Sequence, residues 1–194
     1  MSRFDNRSRV STYTQSWVSN ADPDFGAFES IATTLGTGSS ATISFSSIPA
    51  TYKHLQIRFI ARVANADTGN NQFVQFNSDT AANYSWHIME ADGSTVTANG
   101  FASQSKMIAG RISANTATAG VMGIGIVDIL DYANTNKYKT IKTLTGQDRN
   151  GGGVVRLDSG NWRNTDAITS IQFSNSSSTN YTTDTQFALY GIKA

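Results

Sequence analysis

The ten residues KHLQIRFIAR (53–62) alternate between apolar and polar side chains. Leu55, Ile57, Phe59 and Ala61 recur at a spacing of two, with His54, Gln56, Arg58 and Arg62 between them. At 3.6 residues per turn a helix would mix the two sets on every face, so the stretch reads as a half-buried strand. No long 3.6-residue pattern appears elsewhere, and helix-forming residues are sparse. Ser, Thr and Asn supply roughly a third of the 194 residues, a composition suited to many short strands and turns.

The same reading along the chain gives about ten strands. They are SATISF (40–45), KHLQIRFIAR, QFVQFN (72–77), YSWHIM (84–89), KMIAGRIS (106–113), GVMGIGIVDIL (120–130), KYKTIKTLTG (137–146), GVVRL (153–157), AITSIQFS (167–174) and TQFALYGI (185–192). Turn clusters such as ADTGNN and DRNGGG separate them, and the Asp-Gly of EADGS favours a tight turn. No crossover helix intervenes, so the sheets should be antiparallel. The predicted fold is all-β, a jelly-roll-like antiparallel β-sandwich with an extended N-terminal arm; a closed barrel satisfies the same periodicity. GVMGIGIVDIL is apolar on both of its faces, and Ile60 stands next to Phe59, a surplus that implies a covering neighbour.

Residues 1–26 differ from residues 27–194. They carry Arg3, Arg7 and Arg9 with Phe4, Tyr13 and Trp17, and they lack periodicity. SNADPDFG breaks the chain at Pro23. Aromatic side chains are costly to leave in water, so the stretch reads as an arm that docks on a partner. Arg3, Phe4, Arg7, Arg9, Tyr13 and Trp17 are the expected partner-binding residues.

Few residues suggest chemistry. His54 and His87 sit in separate strands without a metal-ligand spacing or a nucleophile motif, and read as surface or packing residues. Cysteine is absent, which removes thiolate catalysis and Cys-ligated metals. The acid pairs Asp22/Asp24, Glu90/Asp92 and Asp128/Asp131 lie at turns, not in an aromatic-lined cleft of the kind glycoside hydrolysis uses. GQDRNGGG lacks the Gly-Lys-Ser/Thr ending of a phosphate loop and reads as a hairpin tip, and DTGNN is too short for a calcium loop. The expectation is a protein with no enzymatic activity and no cofactor.

Fifteen basic and fourteen acidic residues give a formal charge of +1, with no basic stripe of the kind that binds nucleic acid. No apolar run is long enough to span a membrane, and MSRFDNRSRVSTYTQSW has no secretory h-region. The chain is expected to be made in a cytoplasm, without nucleic-acid or membrane partners.

FESIATTLGTGSSATISFSSIPATYKHLQIRFIAR, FNSDTAANYSWHIM, VDILDYANTNKYKTIKTLTGQD and TQFALYGIKA resemble a domain common among virion proteins of tailed phages, cyanophages included. The resemblance covers about residues 27–194 and is most specific in SSIPATYKHLQIR and ILDYANTNKYKT. Phe59 stands where the family often has Gly. The resemblance implies a trimeric β-sandwich on the outside of the particle and carries over no catalytic residue. Such domains serve as capsid cement (decoration) proteins or as distal parts of tail spikes and fibres. With only 26 residues before the domain, and neither heptads nor collagen-like repeats among them, the cement reading is favoured. It implies a homotrimer on the outer capsid surface of the virion, bound to the major capsid protein. The alternative is a receptor- or carbohydrate-binding tip whose partner is a host surface glycan.

Overall fold

A computed structural model of the chain describes residues 27–193. The arm, with Arg3, Phe4, Arg7, Arg9, Tyr13 and Trp17, lies outside the described residues, as do Asp22 and Asp24. Twelve strands make up the described fold: β1 (Phe28–Leu35), β2 (Thr42–Phe45), β3 (His54–Val63), β4 (Gly69–Phe76), β5 (Tyr84–Ala91), β6 (Val96–Gln104), β7 (Met107–Ala114), β8 (Gly123–Leu130), β9 (Lys139–Asp148), β10 (Gly153–Trp162), β11 (Ile171–Asn175) and β12 (Gln186–Ile192). Two of them, β1 and β6, are additional to the ten read from the sequence.

The strands form two layers. The larger sheet runs β1-β12-β3-β8-β9-β10-β5-β6, and the smaller runs β2-β11-β4-β7. Pairing is antiparallel throughout, with one correction to the expected pattern: Arg62 and Val63 of β3 lie parallel to Ser113 and Ala114 of β7 and join the sheets. The path ends in free edges and does not close into a barrel. No described helix is long and apolar enough to cross a membrane.

β3 shows why the layers pack. Leu55, Ile57, Phe59, Ala61 and Val63 are all buried, as the alternation requires. The ring of Phe59 stacks on Phe187 with centroids 5.0 Å apart. Phe59 is opposite Gly125 of β8, where a Cβ would lie 2.3 Å from Phe59 Cζ. The absent side chain on β8 makes room for the large one on β3. The smaller sheet contributes Ile43, Phe45, Val74, Phe76, Ile112, Ile171 and Phe173 to the same core. At Gly160 of β10 a Cβ would come 2.5 Å from Met107 Sδ of β7, so the layers are in tight contact there.

Loops are tied down by buried or half-buried polar groups. Arg62 turns over the 115–121 loop and donates to the carbonyls of Asn115, Ala117, Thr118 and Val121 at 2.8–3.1 Å. Lys139 is fully buried, and its Nζ donates to the carbonyls of Asn134, Lys137 and Thr165. Burial lowers its pKa from the ordinary lysine value. The GQDRNGGG segment is a hairpin tip between β9 and β10, closed by Arg149 N–H donating to Gly152 O at 2.8 Å.

Candidate interaction face

The centre of the larger sheet turns its apolar side toward water. On β10, Val154, Arg156, Asp158, Gly160 and Trp162 point inward, and Val155 and Leu157 point out. Strand register carries the outward pattern across neighbours. One row runs Ile60–Ile124–Gly146–Val155–Ala91–Val96, from β3 to β6. The next row runs Ile126–Leu144–Leu157–Met89–Ala98. The eight large side chains in these rows are between 38% and 68% exposed. Six strands at ordinary spacing span about 24 Å, a contiguous patch of the kind that marks an interaction surface.

A polar row borders the patch. Gln56 Nε2 donates to Asp128 Oδ1 at 2.8 Å, Asp128 Oδ2 lies 3.4 Å from Lys142 Nζ, and Ser159 and His87 continue the row. On the opposite border an open groove of about 650 Å³ runs past Ile124 and Val155 to Asp92, Asp148 and the glycines 151–153. Apolar centre and polar rim is the layout of a protein–protein contact.

Behind this face the strands bury charge. Arg156 Nε donates to Asp158 Oδ1 at 2.5 Å, and Arg156 Nη1 donates to Asn71 Oδ1 at 2.8 Å. Glu90 bridges Arg156 and Arg111, each at 3.3 Å. Among the described residues, Arg156 Nη2 and Asp158 Oδ2 have no hydrogen-bond partner. Burial pushes the Asp158 carboxyl up to about 6, against the pull of Arg156 and with a further push from Glu90. The pairs Arg111–Glu90 and Arg156–Asp158 cancel in charge, which fits them to an interior and not to binding an ion.

The residues singled out in the sequence fall in separate places. His54 Nδ1 accepts from the Asp131 main-chain N–H at 3.0 Å, which places its proton on Nε2 and fixes the turn after β8. His87 lies on the outward face, its ring across Gly100 of β6, where a Cβ would come 2.5 Å from His87 Cδ2. Asp131 is held by Lys137 and, more weakly, by Lys53, which keep its carboxyl down at about 2. Asp92 accepts from the N–H groups of Ser94 and Thr95 within its own turn. Among the described residues no group of three or more His, Cys, Asp or Glu could hold a metal ion. The sequence reading anticipated the outward apolar residues of β3 and β8. It missed Leu144, Val155 and Leu157, whose neighbours Thr143, Thr145 and Arg156 look like the solvent side.

No protein-family model matches the chain, and neither the curated proteins nor the solved structures contain a match to it.

Proposed function

We propose that the protein is a structural component of a tailed-phage virion, a homotrimeric cement protein on the outer capsid surface. The observation that carries this reading is the double row of outward apolar residues from Ile60 to Val96. Water is a poor solvent for such a face, and a neighbouring copy is its natural cover. Each half-exposed Ile or Leu that becomes covered contributes about 1 kcal/mol. The trimer itself comes from the family resemblance; the face supplies the surface it needs.

The arm supplies the grip on the particle. Arg3, Arg7 and Arg9 can hold carboxylates of the major capsid protein bidentately. Phe4, Tyr13 and Trp17 are the rigid aromatic type that dominates interface energy. Three arms per trimer act together, so weak single contacts suffice.

Cryo-electron microscopy of undecorated particles mixed with the purified protein tests the reading. Density spread over the capsid lattice is the expected result. Density confined to the tail, or no bound protein, would contradict it.

A further inference from the structure

The two sheets leave three open strand edges among the described residues: β1 and β6 on the larger sheet and β2 on the smaller. An edge presents unpaired N–H and C=O groups, and proteins blunt edges with charge, proline, bulges or shortness. β2 is four residues long. β1 has a mid-strand bulge between Ser30 and Ala32, and carries Glu29, which pairs with Lys193 and Tyr52. β6, VTANGFASQ, has no charge and no proline, and eight of its nine residues are exposed. Its bulge is confined to the end, next to Ser103 with φ 56°, and leaves Val96–Phe101 in regular register with β5.

This edge is also preformed. The Asp92 carboxylate closes the β5–β6 turn by accepting from the Ser94 and Thr95 N–H groups at 2.9 and 2.7 Å. Trp86 and Phe101 pack across the hairpin with ring centroids 4.3 Å apart. An open, ordered and uncharged edge is a template for one more strand.

We propose that β6 pairs antiparallel with β6 of a second copy, across a two-fold axis at Asn99. In this register Thr97 meets the partner's Phe101, Ala98 meets the partner's Gly100, and Asn99 meets its own counterpart. The strand is neutral along its length, so self-pairing opposes no like charges. Ala98 and Gly100 are small, so the outward sides meet without a clash. Two opposed Asn side chains can exchange amide hydrogen bonds. Val96, at the end of one apolar row, then meets Ala102 of the second copy, and Ala98, at the end of the other, meets Gly100, which lies beside His87 in the polar row. The contact draws on main-chain groups of an edge and does not depend on the trimer. An interface this small is weak, and forms at high protein concentration or on a crowded surface.

The chain has no cysteine, so one introduced thiol reports the register. Asn99→Cys should form a disulfide-linked dimer under copper–phenanthroline oxidation. Val96→Cys, about 20 Å from its counterpart in this register, should not. Equal cross-linking of both variants, or none of N99C, overturns the pairing. Asn99→Lys opposes two charges across the axis without touching the core. At high concentration the wild-type protein should sediment at a larger mass than N99K; equal masses would also overturn it. The mass of N99K alone reports whether the trimer exists, so the two readings fail separately.

Discussion

Arg156 and Leu157 are neighbours on β10 with their expected environments exchanged: the arginine is 1% exposed and the leucine 40%. A strand alternates its faces, so one cannot be corrected without exposing the other. On the inward side of β9 and β10, Thr143, Thr145, Gln147, Arg156 and Asp158 are buried beside Ile141, Val154 and Trp162. The outward side is left to Leu144, Val155 and Leu157. That exchange is stable only if the inner charges stay paired, and it gains most if the outer face is covered.

The inner pairing can be tested by removal. Arg156→Ala leaves the buried Asp158 and the half-buried Glu90 without this guanidinium, and among the described salt bridges here only Arg111–Glu90 remains. The expected loss of unfolding free energy is about 3–5 kcal/mol. Replacing both members with apolar residues, Arg156→Met with Asp158→Leu, should cost much less than R156A alone. Urea unfolding of the three proteins measures this, and a double variant weaker than R156A would contradict it.

Asp158 gives the stability a pH dependence of unusual sign. Its folded pKa of about 6 lies above the ordinary carboxyl value, so the folded state holds the proton more tightly. This group's contribution therefore falls as pH rises from about 4 to about 6 and is flat above that. Asp131, held at about 2, acts oppositely, and its contribution is lost as pH falls from about 4 toward 2. Asp158→Asn should remove the decline between pH 4 and 6 and leave the acid limb intact. Identical pH profiles for the wild type and D158N would contradict this assignment.

Gly125 is required by its partner across the sheet. A methyl group there would lie 2.3 Å from Phe59 Cζ and 2.6 Å from Thr145 Cγ2. Gly125→Ala should destabilise by about 1–3 kcal/mol through overpacking. Phe59→Leu in the same chain should recover part of that loss, seen as a favourable coupling energy in a double-mutant cycle. Strictly additive losses would show that the two sites do not share the space.

The sequence was most legible where one face is apolar and the other polar. The stretch from Leu55 to Val63 has that form, and its buried set is the alternating one. β1 and β6 escaped because neither buries a complete face: β6 is exposed on both sides and so carries no alternation. Arg156 and Asp158, two apart on a strand, look like any surface ion pair, and only the layer of β7 above them makes them interior. The outer face was half legible, since Ile60, Ile124 and Ile126 are apolar on the wrong side for a free sheet. Leu144 and Leu157 gave no such signal, because Thr143 and Arg156 beside them imitate a solvent side. Phe59 and Gly125 become a pair only when the β3–β8 register is known.

In the proposed trimer the outward face of β3, β8, β9, β10 and β5 is covered by copies of the same chain. Light scattering at low micromolar concentration, where the weak edge contact is dissociated, tests it most directly. The wild-type protein should give about three times the 20.9 kDa chain mass. Leu144→Lys with Leu157→Lys, both outside the core, should give a folded monomer. A wild-type monomer, or a double variant that keeps the wild-type mass, would contradict the account.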